Sequence, residues 1–275
     1  MEYATDLATT LDLEELDRDL YRGVNTVAAQ QRPALFGGQV CAQALMAAGR
    51  TVPEGRLPHS LHGYFLRPGL IDHPVVLRVD RDRDGRSFAA RHVAAIQDGE
   101  VIFSMLASFH AGSAEPRFED VAPLPAAAPD ACPPYGNDAL LELRQITMTE
   151  VVDGRQLYSD RLWVRAAHPL PDDPMVQACA LAYVSDLGTG FGRTVVAGTP
   201  GQGGPSIDHS LWFHEPVRTD EWVRLDLEPW KATPGRALYR GVIRDVTGRL
   251  AASLAQEHLL RNEAVLPPVD PDPGG

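Results

Sequence analysis

Two stretches of the chain carry apolar residues at helical spacing. Residues 36–52, FGGQVCAQALMAAGRTV, follow a glycine-rich entry and predict a helix. Residues 171–188, PDDPMVQACALAYVSDLG, predict a second, with Asp173 placed to cap it and Pro174 suited to its first turn. Within this second helix Val176, Cys179, Ala180, Tyr183 and Leu187 form an apolar stripe. After each helix the pattern changes to the alternation of strands. In the first half the strand-like runs are 59–68, 75–80, 86–96 and 101–110; in the second they are 206–216, 222–227, 236–246 and 250–259. Turn signals fall at DRDG (82–85), QDG (97–99) and VTG (246–248). A long helix beside consecutive meandering strands predicts an α+β layout, with the helix packed on one face of an antiparallel sheet.

The two halves match one another. HSLHGYFLRP pairs with SIDHSLWFHEP, VVLRVD with WVRLDL, RSFAARHVAAI with RALYRGVIRDV, and VIFSMLASFH with LAASLAQEHL. The offsets stay nearly constant: Pro68 to Pro216 is 148 residues, Gly85 to Gly235 is 150, and Gly99 to Gly248 is 149. Several matches in one register argue for an internal duplication. The organisation expected is a first repeat over 1–112, a proline-rich linker over 113–136, a second repeat over 137–265 and a disordered tail over 266–275.

Composition narrows the function classes. With 25 basic and 37 acidic residues the net charge is 25 − 37 = −12, which argues against non-specific nucleic-acid binding. No run of 18 or more apolar residues is present, so no membrane span is expected. Cys41, Cys132 and Cys179 lie far apart in no zinc-binding spacing, which predicts neither a disulfide framework nor a metal site. Cys41 and Cys179 read as small core residues, and a reduced cytoplasmic setting is the default. There is no nucleophile elbow, no phosphate-binding loop and no dinucleotide fingerprint. Asp208, His209 and Ser210 are the residue types of a hydrolytic triad, but neighbours on a strand point to opposite faces and form no relay among themselves.

Two polar positions stand out against this background. Asp186 falls beside Cys179 at the edge of the apolar stripe, where partial desolvation would raise its pKa toward a base's useful range; the alternative is a solvated carboxylate near a helix end. Gln256 shares the inward face of its strand with Leu254 and Leu260, and the equivalent residue of the first repeat is Ala107. A buried amide must be hydrogen-bonded, either to structural partners or to a functional water. Gly37 and Gly38 open the first helix, either as a plain turn or as part of an oxyanion hole. Arg78, Arg81, Arg83, Arg86 and Arg91 cluster on one hairpin, as a solvated face or as a receiver of phosphates.

The segments FGGQVCAQAL, HSLHGYFLRPG, DGRSFAARHVAAIQDGEVIFSMLASFH, YVSDLG, IDHSLWFH and AASLAQEHLLRN resemble the acyl-CoA thioesterase II family over about residues 11–263. The resemblance implies a double-hotdog fold and hydrolysis of fatty acyl-CoA to a free acid and coenzyme A. It implies Asp186 as the base, with Ser206 and Gln256 holding the attacking water. Gly37, Gly38, His62 and Arg67 become candidates for the oxyanion hole and substrate binding, and Asp208 and His209 take support roles. Tyr64, Phe65, Leu66, Trp212 and Phe213 are candidates for the walls of an acyl groove between the repeats. No metal or cofactor is implied, and assembly into a homo-oligomer is. Two rivals stay open: a hotdog hydratase or dehydratase of enoyl thioesters, and a non-catalytic acyl-thioester binding protein.

Overall fold

The computed structural model describes residues 4–26, 34–112, 118–123, 125–136, 138–146, 149–152, 155–158, 161–188, 195–196 and 199–262. The first half contains α1 (Leu7–Leu11), β1 (Glu14–Asp17), β2 (Leu20–Gly23), α2 (Gly37–Gly49), β3 (Leu57–Phe65), β4 (Val75–Asp84), β5 (Phe88–Gln97) and β6 (Glu100–His110). The second contains β7 (Leu141–Gln145), β8 (Thr149–Val152), β9 (Arg155–Tyr158), β10 (Arg161–Ala166), α3 (Pro174–Ser185), β11 (Val195–Val196), β12 (Thr199–Ser206), β13 (Asp208–Phe213), β14 (Val223–Thr233), β15 (Arg236–Asp245) and β16 (Leu250–Asn262).

The main sheet runs β1-β2-β4-β5-β6-β3-β13-β16-β15-β14-β10-β7. Read from its centre outward, the order of the second half repeats that of the first, as a duplication requires. The junction is antiparallel, with His62 directly opposite Ser210 and His62 Nδ1 3.1 Å from Ser210 Oγ. These two residues are equivalent under the 148-residue offset, since 62 + 148 = 210. Equivalent residues that face one another mark a pseudo-twofold axis, the geometry of an isologous contact. Two hotdog units are thereby joined edge to edge within one chain.

The helices lie against each other under the sheet. Residues Gly38–Ala48 of α2 are buried without a break, and so are Cys179–Ser185 of α3. Over Cys179–Ser185 the apolar stripe expected on α3 is therefore a full circumference, with the sheet on one side and α2 on the other, while the first turn, with Val176, stays partly open to water. Asp173 caps α3 as expected, its Oδ1 accepting from Met175 N at 2.8 Å, and Pro174 opens the first turn. At the QDG turn Asp98 and Gly99 both take positive φ, 49° and 79°, as a two-residue hairpin connection demands.

Some elements differ from the expected pattern. The run 206–216 is two strands, β12 and β13, parted at Ile207. The outermost two strands at each end of the sheet, β1 and β2, β7 and β10, carry no clear sequence signal; the edge strand β1 reads EELD and is exposed at every position, so it has no buried face to announce it. The described residues between 118 and 136 are strapped to the second repeat. Glu119 pairs with Arg244 at 2.6 Å, Pro125 O accepts from Arg161 at 3.1 Å and Ala127 O accepts from Trp163 Nε1 at 2.9 Å. The tail 266–275 lies outside the described residues, and among the described residues no helix is long and apolar enough to cross a membrane.

Candidate active site

Asp186 is the C-cap of α3, and Gly188, at φ 73°, turns the chain away behind it. Ser206 ends β12, where a register shift after Gly203 re-aims the strand against β16. Gln256 sits in the middle of β16 on its inward face. These three side chains, distant in sequence, meet. Gln256 Nε2 donates to Asp186 Oδ1 at 2.7 Å and also donates to Ser206 Oγ. Gln256 is fully buried and Asp186 is 9% exposed, so the hydrogen bonds form in a poorly solvated place.

Asp186 and Ser206 border a cavity of about 640 Å³ between the repeats, with Gln256 buried behind them. Asp186 and Ser206 of the second repeat supply polar wall, while Val40, Phe65, Ile102 and Phe103 of the first supply apolar wall. Gly37 closes the distance between the two. A Cβ there would stand 2.6 Å from Asp186 Oδ2 and 2.8 Å from the Phe65 ring, so the first turn of α2 approaches the carboxylate only because position 37 is glycine.

The other candidates are placed differently. Gly38 packs rather than lines: a Cβ there would meet Tyr183 O at 2.3 Å, so it sets the approach of α2 to α3. Arg67 stands on the cavity wall, but its guanidinium is held by Glu100 Oε2 at 2.7 Å and Val101 O at 2.9 Å. His62 is not brought to the cavity. Alternation along β3 turns His62 and Tyr64 to the outer face, and Leu61 and Gly63 inward. Of the residues considered for the acyl groove, Phe65 and Leu66 line this cavity, Trp212 is exposed beside His62, and Phe213 lines a different one. None of the five hairpin arginines lines the cavity; Arg91 is fully buried and holds Thr51 Oγ1 at 2.8 Å. Burial pushes the thiols of Cys41 and Cys179 well up, which keeps them unreactive.

One partner was given only a support role by the sequence. His209, fully buried on β13, has Nδ1 2.6 Å from Gln256 Oε1 and Nε2 2.8 Å from Ser185 Oγ. Its signal was present: the alternation of β13 points it inward with Leu211. Asp208 supports the backbone, its Oδ1 accepting from Glu257 N at 2.7 Å.

The duplication supplies an internal comparison. A second cavity, of about 600 Å³, is lined by Pro58, Gln177, Phe213 and Pro216, which are equivalent to Ser206, Val40, Phe65 and Pro68 of the first. Counted from the first residue of each helix, Ser185 and Asp186 correspond to Ala48 and Gly49. By the strand offsets Ser206, His209 and Gln256 correspond to Pro58, Leu61 and Ala107. The first repeat keeps the hollow and carries none of the polar groups.

Comparison with known proteins agrees with this geometry. The acyl-CoA thioesterase N-terminal domain model matches residues 27–110, and the acyl-CoA thioesterase C-terminal domain model matches residues 118–260. Human acyl-coenzyme A thioesterase 8 is 34% identical over 301 residues, covering 93% of this chain and 88% of that protein. Acyl-CoA thioesterase 2 of Haemophilus influenzae is 32% identical, covering 93% of this chain and 97% of that one. The crystal structure of the acyl-CoA thioesterase II TesB2 of Mycobacterium marinum superimposes with a TM-score of 0.79 at 40% identity, covering 93% of this chain and 98% of that one. With both halves matched and the two cavities differing in their polar set, the chain belongs to the acyl-CoA thioesterase family of double-hotdog proteins.

Proposed function

We propose that the chain hydrolyses fatty acyl-CoA thioesters by direct attack of a water held by Asp186 and Ser206, while Gln256, whose two amide hydrogens both go to these partners, fixes the pair instead of touching the water. The observation that carries this is the single amide of Gln256 donating to both Asp186 Oδ1 and Ser206 Oγ beside an apolar cavity. Asp186 takes a proton from the water as its oxygen bonds to the thioester carbonyl carbon. The tetrahedral intermediate collapses, the C–S bond breaks, and the proton returns from Asp186 to the leaving thiolate. The Ser206 hydroxyl, accepting from Gln256, is left to donate its own hydrogen toward the water. Backbone N–H groups in the first turn of α2, at Gly37, serve the developing oxyanion. The acyl chain lies against Phe65, Leu66 and Phe103. The reaction so drawn needs no covalent intermediate and draws on no metal or cofactor. A cytoplasmic setting and assembly into a homo-oligomer belong to the same reading.

The hydratase reading wants an imidazole at the cavity wall. His209 reaches Gln256 and Ser185 instead and is fully buried, which favours hydrolysis. The test is thiol release from an acyl-CoA panel, followed with a thiol reagent. Release of coenzyme A supports hydrolysis, hydration without release supports the hydratase, and binding with neither supports a non-catalytic binder.

A further inference from the structure

We propose that His209 is a positioning residue: it fixes which end of the Gln256 amide faces Asp186, and so lets Gln256 hold Asp186 and Ser206 in place around the water. The proposal rests on the reading of Asp186 and Ser206, fixed by Gln256, as the water-holding set. The two ends of an amide have nearly the same shape, so only the proton inventory distinguishes them. A carboxylate accepts and does not donate, hence the end of Gln256 that stands 2.7 Å from Asp186 Oδ1 must be the NH2. One hydrogen goes to Asp186 and the other to Ser206 Oγ. The oxygen then points away from the cavity, 2.6 Å from His209 Nδ1. That contact is a hydrogen bond only if Nδ1 carries a proton.

The far side of the ring accommodates an Nδ1 proton in either charge state. His209 Nε2 lies 2.8 Å from Ser185 Oγ, which lies 2.8 Å from Ala182 O. A neutral ring protonated on Nδ1 accepts from the Ser185 hydroxyl. A doubly protonated ring donates to it, and the hydroxyl passes its hydrogen to Ala182 O. Gln256 receives the same Nδ1–H bond in both cases. The remaining tautomer, protonated on Nε2 alone, presents a lone pair to Gln256. It would draw the NH2 toward itself and turn the amide oxygen onto the Asp186 carboxylate, where two acceptors repel. The tautomer of one buried imidazole therefore decides whether the site is assembled.

The internal duplication gives an independent reason. Leu61 faces Ala107 on β3 and β6 at the positions equivalent to His209 and Gln256, and both are fully buried. The fold accepts an apolar pair there, so a buried imidazole is not a requirement of packing. Where the amide is absent the imidazole is absent too, and so is the hydroxyl, Ala48 standing in for Ser185. His209 is not among the residues lining the cavity and acts through Gln256 alone.

The experiment compares the full-length chain with His209→Leu, His209→Asn, Gln256→Ala and the double variant His209→Leu/Gln256→Ala, each checked for folding by circular dichroism. Thiol release is measured with saturating acyl-CoA, and the ring nitrogens of His209 are read by 15N NMR. Asparagine keeps an N–H donor at the place of Nδ1. Expected are a wild-type ring protonated on Nδ1, and a His209→Leu loss of kcat as large as that of Gln256→Ala with KM within a few-fold. The double variant should lose no more than either single one, because groups acting as a unit are not additive. His209→Asn should recover about tenfold of the loss, the worth of one directed hydrogen bond. A folded His209→Leu within about threefold of wild type while Gln256→Ala is impaired, or additive losses, or a ring protonated on Nε2 alone, overturns the proposal. Full turnover by Gln256→Ala and Asp186→Asn would instead sink the water-holding reading. If His209→Leu does not fold, His209→Asn and the NMR signature still decide.

Discussion

Ala107 and Gln256 hold equivalent positions on the equivalent strands β6 and β16, 149 residues apart, and only Gln256 brings a polar group there, donating to Asp186 and Ser206 at the cavity wall. One chain therefore carries two hollows of similar size and one set of reactive side chains. Ala178, which lines the hollow without the set, should tolerate filling. Ala178→Phe is expected to keep kcat and KM within about threefold of wild type. A loss of tenfold or more in thiol release would mean that both hollows take part.

Asp186→Asn keeps the size of the side chain and removes the base. The residue is 9% exposed, so the change also removes a poorly solvated charge, and the fold should survive. Turnover should fall by roughly 10²–10⁴, the range for losing a general base, with the loss in kcat and not mainly in KM. Turnover by the folded variant close to wild type would remove Asp186 from the mechanism.

Ser206 contributes a hydroxyl to the same set. Ser206→Thr retains the oxygen and should keep much of the activity. Ser206→Ala should lose about tenfold or more, since a directed hydrogen bond contributes ~1–2 kcal/mol. Steady-state thiol release by the two variants separates them, and parity of Ser206→Ala with wild type would contradict the assignment.

Gly37 and Gly38 should respond in opposite ways to alanine. At 37 the new methyl meets the tips of the Asp186 and Phe65 side chains, at 2.6 and 2.8 Å, which can shift at the expense of the site. At 38 it meets the Tyr183 carbonyl at 2.3 Å, a backbone atom inside the helix pair. Gly37→Ala should lose activity with a modest change in Tm. Gly38→Ala should be destabilised by roughly 1–3 kcal/mol or more, as overpacked cores are. Thermal melts and activity assays on the same preparations decide between the two patterns.

Acidification should destabilise the fold before the carboxylates titrate. Burial holds the pKa values of His59, His214 and His258 below the ordinary imidazole value; His110 and His62 add to this at His59, while Glu119 and Glu215 oppose it at His214 and Glu257 at His258. A depressed folded value means the unfolded chain binds more protons, so stability is full above the unfolded value of about 6.5 and is lost as pH falls through the folded ones. His73, raised by its hydrogen bond to Asp72, works the other way, but it is solvent-screened. Tm should fall from pH 7 to pH 5, and less steeply in His258→Leu. A flat wild-type profile in that window would contradict this account.

What the sequence by itself determined was the periodic part of the protein. Helical spacing placed α2 and α3, alternation placed β4, β5, β6, β15 and β16, and matched offsets announced the duplication that the palindromic strand order displays. Periodicity is local: it reports which side of an element is apolar, and for that reason it also singled out Asp186 and Gln256 as polar groups in apolar company. Edge strands such as β1, with no buried face, carried no such signal. Tertiary structure decided what meets what. Residues 186, 206, 209 and 256 converge through the register of β13 against β16 and the shift in β12, and a register is a long-range pairing that no window of sequence contains. Tertiary packing also set His62 against Ser210 across the junction, put Arg67 in the grip of Glu100, and separated Gly37, beside the carboxylate, from Gly38, between the helices.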